Sequence, residues 1–216
     1  MSSASADPGR RKSYHHGALH SALVEASIAV AREGGPDRVI LREAARAAGV
    51  SHSAAYRHFA DREALLAEVS SQARGELAAE MRRRVARAKG PRQRLRAIGT
   101  AYIDYALKEP GLFRAAFTSH PATSPVAERD QADAGSPGDG PEPFDILGGV
   151  LDECAAAGLL NPNHRPGAEI GVWSAVHGLA SLLLDGPLPR TSAGVEFARR
   201  QVLELIERGL FDDGSS

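Results

Sequence analysis

A single cysteine, Cys154, stands in 216 residues. A disulfide within the chain is impossible, which excludes a disulfide-stapled secreted scaffold. The plainest reading of Cys154 is a small buried apolar residue rather than a reactive thiol. No apolar run approaches the roughly 18 residues needed to span a bilayer, and the N-terminus carries no apolar signal segment. The expectation is a cytoplasmic, nucleoid-associated protein without a membrane partner. A large charge excess is missing too: the formal net charge is −1, so no global field points to a polyanion. There is no His-Glu-x-x-His, no cysteine pair and no triad signature. No catalytic residue, metal or cofactor is therefore expected. A metallohydrolase built on the histidines is the remote alternative.

The charge that is present is uneven. Residues 1–74 hold ten Lys/Arg against eight Asp/Glu and five of the eight histidines; the remainder holds sixteen against nineteen. The front of the chain is the more cationic part. Residues 1–13 are small, polar and basic, and read as a disordered arm. From Ala18 an apolar stripe of Leu19, Ala22, Leu23, Ala26, Ala29 and Val30 predicts a helix, stopped by Gly34-Gly35-Pro36. Short helices follow at about 41–48 and 52–59, then longer ones at about 62–89 and 92–108 and a short segment around 112–117. Residues 119–143, rich in Pro, Gly, Ser and Asp, form a linker or a lid. Helices at about 144–158, 166–184 and 194–210 bring the total to about nine in an all-α fold.

The most informative stretch is residues 39–65, VILREAARAAGVSHSAAYRHFADREAL. Two short helices meet at Gly49-Val50-Ser51, where glycine permits a positive φ. Small residues at 44, 45, 48 and 55 allow close approach. This is helix-turn-helix spacing, and a plain αα-corner with a solvated face is the alternative. Ser51 caps the second helix and is counted among the residues expected to contact DNA. Its outward face offers His52, Ser53, Tyr56, Arg57 and His58. Arg57 suits a guanine edge or a phosphate, Tyr56 and His58 suit phosphates, and Arg62 opens the next helix, where phosphate is also favoured.

The run Gly49-Val50-Ser51, Tyr56-Arg57-His58-Phe59 and Arg62-Glu63-Ala64-Leu65 resembles the DNA-binding domain of the TetR/AcrR family of bacterial transcription regulators. The resemblance implies a three-helix DNA-binding domain over residues 14–70 and an effector-binding and dimerisation domain over 71–212. It places Arg42 within reach of base edges and His52, Ser53 and Ala54 at the head of the recognition helix. Tyr56 and His58 fall at backbone contacts, and Arg62 takes the place of a phosphate-binding lysine. Ser53-Ala54-Ala55 stands where Gly-Thr-Leu is common, which removes a hydroxyl at position 54.

Further on, Trp173, His177 and Gly178 resemble the Trp-x-x-x-His-Gly signature of a C-terminal domain found in such regulators, as does the stretch from Tyr105 to Phe117. Trp173 and His177 share a helix face. With Tyr102, Tyr105, Phe113 and Phe117 they are the candidate lining of a pocket for a small apolar or aromatic effector; ordinary core packing is the alternative for each. Two apolar C-terminal helices, carrying Ile170, Val176, Leu179 and Leu183, then Val195, Val202, Leu205 and Ile206, suit a two-fold four-helix interface. The implied protein is a homodimer on a pseudo-palindromic operator in double-stranded DNA, released by its effector. A C-terminal region that binds a protein partner, or that works without ligand, is the alternative.

Two further stretches are ambiguous. Residues 82–96 hold eight Arg/Lys and no acid, which reads as a solvated helix end ahead of extra DNA attraction. Tyr14, His15 and His16 precede Gly17, read as the turn into the first helix. They are assigned to phosphate or groove contact, with helix capping or packing equally open. His16 and His20 have the spacing of a ligand pair, but no acidic or cysteine ligand lies nearby.

Overall fold

The computed structural model describes residues 8–118 and 142–211, residues 8–17 by backbone alone. Nine α-helices run through the described residues, and no strand is present among them: α1 (Pro8–Gly34), α2 (Leu41–Ala47), α3 (His52–Ala55), α4 (Arg62–Val85), α5 (Pro91–Lys108), α6 (Pro110–Ala116), α7 (Pro143–Ala156), α8 (Ala168–Leu184) and α9 (Ser192–Leu210). None is long and apolar enough to cross a membrane.

Polar side chains set the helix starts. Asp61 accepts the Ala64 N–H at 2.8 Å and opens α4. Thr191 does the same for α9 through Gly194 at 3.2 Å. Glu142 and Asp145 form a reciprocal capping box at α7. Pro91 and Pro110 occupy first turns, where a missing N–H costs nothing.

At about 1.5 Å per residue, the 24-residue α4 is about 36 Å long. It packs against α1, α5, α6 and α7. Leu65, Leu66, Val69, Leu77 and Met81 are buried along its inner stripe, and Val85 is half-buried. One apolar core therefore runs from Leu23 on α1 through α4 to Leu210 on α9.

Three boundaries differ by four residues or more from those expected, one being the end of α4, at Val85 rather than near residue 89. α1 begins at Pro8 rather than at Ala18, so the helix takes in part of the predicted arm and Gly17 lies inside it. Pro8 fits a first turn, and nothing between Arg10 and His16 breaks a helix. The α-helical part of α3 stops at Ala55 rather than at residue 59, because its last turn tightens: Arg57 and His58 donate to the carbonyls three residues back. Residues 1–7, and all of the 119–143 segment except Glu142 and Pro143, lie outside the described residues.

Candidate nucleic-acid interface and ligand pocket

The α2–α3 corner is closed by backbone bonds. Gly49, at φ 69°, donates to Arg46 at 3.2 Å, and Val50 donates to Ala45 at 2.9 Å. This is the double bond of a Schellman motif, which only a left-handed residue after the helix allows cheaply. Ser51 then caps α3 by accepting the Ala54 N–H at 3.2 Å and lies 3.1 Å from the Ser53 hydroxyl. Buried Ala55 and Phe59 seat α3 on the core.

Ser51, His52, Ser53, Tyr56 and Arg57 are exposed on the outer side, and so is Arg42 on α2. Tyr56 leans its ring edge-on against His52, with centroids 4.7 Å apart. Arg42 and Arg57 have no ion pair or hydrogen bond with another described residue. The corner thus presents two unspent guanidinium groups, a phenol and hydroxyls on one small protrusion.

Other residues assigned to that face are placed differently. His58 is half-buried and turns toward α1, its ring 6.2 Å from that of His20, which lies 4.6 Å from Phe59. Arg62 donates from Nε to the Val39 carbonyl and from Nη2 to the Pro36 carbonyl, both at 2.8 Å. Its guanidinium therefore ties the 36–39 turn to the start of α4, a task invisible in sequence because both acceptors are backbone. The side chains of Tyr14, His15 and His16 lie outside the described residues.

In the body of the molecule, Tyr102, Phe113, Phe117, Trp173 and His177 converge, with neighbouring rings 5.0–6.2 Å apart. Tyr102 and His177 share a 2.7 Å hydrogen bond between the hydroxyl and Nδ1. Burial pushes the Tyr102 hydroxyl far above its ordinary pKa and lowers that of His177, so both are neutral near pH 7. Tyr105 does not join them. Three residues beyond Tyr102, it is turned by about 60° around α5 and donates to the Ala73 carbonyl of α4 at 3.1 Å. Phe144, not anticipated from the sequence, packs against Trp173 at 5.6 Å; the only signal was an aromatic just after Pro143. A cavity of about 210 Å³ opens beside the rings, lined by Phe113, Phe117 and His177 with Arg114, Ser181 and Asp185.

The outer faces of α8 and α9 expose Ile170, Leu182, Phe197 and Leu205, beside an apolar groove of about 390 Å³ bordered by Gly171, Ala175 and Gly209. The arginines of 82–96 are largely spent on ion pairs. Arg84 pairs with Asp104 at 2.8 Å, Arg94 with Glu153 at 2.5 Å, and Arg96 with Glu207. Burial raises the Cys154 thiol to about 11, which leaves it inert.

A helix-turn-helix head on an all-helical body with an aromatic cluster beside an open cavity is the architecture of a DNA-binding regulator. Comparison with known proteins agrees. The family profile "Bacterial regulatory proteins, tetR family" matches residues 23–69. The profile "Tetracyclin repressor-like, C-terminal domain" matches residues 95–205, just over half of the chain. No curated protein matches the chain. Among solved structures, a protein of unknown function from Rhodococcus sp. RHA1 is 28% identical with a TM-score of 0.70, the match covering 92% of this chain and 98% of that one. A TetR family transcription regulator from Marinobacter aquaeolei VT8 is 20% identical with a TM-score of 0.62, covering 94% and 99%. RolR, solved in complex with resorcinol, is 14% identical with a TM-score of 0.64, covering 91% and 95%. The chain belongs to the TetR family and is a DNA-binding transcription regulator.

Proposed function

We propose that the protein is a homodimeric repressor that leaves a pseudo-palindromic operator when a small aromatic molecule enters the cavity beside His177. In this reading residues 14–70 form the DNA-binding domain, acting where the chromosome is, and residues 71–212 receive the effector and dimerise. Arg42, Ser53, Tyr56 and Arg57 meet the DNA. Two copies joined through the exposed apolar face of α8 and α9 present two α3 helices to successive major grooves, about 34 Å apart. RolR, similar in fold, was solved with resorcinol, a small aromatic ligand.

The observation that carries the reading is α6. Phe113 and Phe117, at and just beyond its C-terminal half, line the cavity. Its N-terminal end presses on α1, where a Cβ added at Gly111 would stand 2.1 Å from the Ala31 carbonyl oxygen. Arg32 adds ion pairs to Glu109 at 2.6 Å and to Glu76 at 3.0 Å. A ligand that repositions α6 therefore acts on α1, and through it on the α2–α3 corner. Differential affinity for two such arrangements shifts the population off DNA; tenfold weaker operator binding takes about 1.4 kcal/mol of coupling.

The test is operator binding by fluorescence anisotropy, on a site selected from genomic DNA. Affinity should fall steeply with salt as phosphate contacts release counterions. Arg57→Ala should weaken binding at least about tenfold with the circular dichroism spectrum unchanged. Unaltered affinity would remove Arg57 from the interface.

A further inference from the structure

The cavity beside His177 has two unlike sides. One is aromatic: Phe117 stands edge-on to the His177 ring at 5.4 Å, and Phe113 stacks on it at 5.5 Å. The other carries hydrogen-bond donors. The Tyr102 hydroxyl is buried, and His177 Nδ1 is its only partner among the described residues. A buried O–H must donate to avoid the cost of an unmade bond. Nδ1 therefore accepts, and the neutral ring carries its proton on Nε2 as a donor. The Ser181 hydroxyl also lines the cavity and has no partner among the described residues. Arg114 brings a guanidinium to the rim. The one acid among the lining residues is Asp185, which is paired with Arg114. Thr118 is spent, its hydroxyl donating to the Arg114 carbonyl at 2.8 Å.

The remaining lining thus asks for an acceptor, and Asp185 already sits on Arg114 as a carboxylate would. At about 210 Å³ the cavity is smaller than the roughly 300–1,000 Å³ of sites for drug-sized ligands, which limits the occupant to about one ring. We propose that the effector is a small aromatic carboxylate whose ring rests against Phe117 and His177 and whose carboxylate displaces Asp185 from Arg114. This rests on the reading of the cavity as the effector site and names the chemistry it selects. The planar guanidinium fork can hold a carboxylate through two N–H bonds, while an uncharged amide of the same shape offers it one weaker acceptor.

The experiment is titration of the full-length protein with benzoate, benzamide and phenol. Trp173, the only tryptophan, reports through its fluorescence because its ring lies 5.6 Å from Phe117; calorimetry gives an independent readout. Benzoate should bind saturably and at least about tenfold more tightly than benzamide or phenol. Arg114→Gln, at an exposed position, should abolish that preference. Asp185→Asn should strengthen benzoate binding by removing the internal competitor. Benzamide or phenol matching benzoate, no binding by benzoate, or a preference that survives Arg114→Gln would overturn the proposal. Operator affinity in the same samples separates the two readings. Selective benzoate binding without DNA release keeps the carboxylate site and defeats effector-driven release. Release by a neutral aromatic, without carboxylate preference, does the reverse.

Discussion

The recognition corner and the ring pocket solve opposite problems. On α2 and α3 the side chains assigned to DNA stand on top of a finished structure. Ala55 and Phe59 do the seating, while Arg42, Ser53, Tyr56 and Arg57 point away from the core. In the pocket no such division exists. Tyr102 and Phe113 are nearly inaccessible, and they brace the same rings that a ligand would touch. Binding is separable from folding at the first site and inseparable from it at the second. Substitutions in the two regions should therefore differ in kind as well as in size.

Phe113→Ala is the severest test of that contrast. It empties a buried ring position shared by Tyr102, Phe117 and His177, and should cost about 3–5 kcal/mol in urea denaturation at fixed protein concentration. A loss below about 1 kcal/mol would mean the pocket rings are not core, and the comparison would collapse. Gly111→Ala should cost about 1–3 kcal/mol by overpacking, because the new methyl meets the Ala31 and Arg32 carbonyls, which are backbone and cannot swing aside. It should also lower operator affinity, although residue 111 is remote in sequence from α3; stability lost with operator binding intact would uncouple α6 from the DNA-binding head. Tyr102→Phe keeps the ring and strips His177 Nδ1 of its partner. The expected loss is about 1 kcal/mol, and a neutral outcome would show that this bond adds nothing to the fold.

The same contrast explains what was legible in the sequence. Period and punctuation gave away the helices: the stripe through Leu65, Val69, Leu77 and Met81 needs only spacing, and Gly49-Val50-Ser51 announces its turn through one left-handed residue and one cap. Exposed recognition residues follow from the same periodicity, since whatever faces away from Ala55 and Phe59 faces solvent. The pocket was less legible because long-range packing decides it. A rotation of about 60° between Tyr102 and Tyr105 sends one into the ring cluster and the other to the Ala73 carbonyl. Phe144 reaches Trp173 only after the chain has passed through the 119–141 segment. The carbonyl bonds of Arg62 were hidden for a related reason: a cation at a helix start looks the same whether its acceptor is a phosphate or a carbonyl more than twenty residues back. The early start of α1 was hidden by the polarity of residues 8–13, since a polar stretch does not by itself exclude a helix.

Tyr56→Ala should produce the smallest change in stability and defines the far end of the comparison. The ring is 51% exposed and touches His52 within its own turn. Its removal should therefore alter the unfolding free energy by no more than about 0.5 kcal/mol. Operator affinity should still fall if the phenol donates to a backbone phosphate as proposed, because a hydrogen bond to a charged group is worth about 1.5–3 kcal/mol. A phosphate contact fixes register without reading bases. The loss should accordingly be similar across operator variants, leaving the order of preferred sequences unchanged, whereas Arg57→Ala should relax preference at one position if it reads a guanine. Parallel selection experiments on the two variants measure this directly. If Tyr56→Ala reorders the preferred sequences, the phenol reads a base edge; if it destabilises the fold, the recognition corner is not the separable surface that distinguishes it from the pocket.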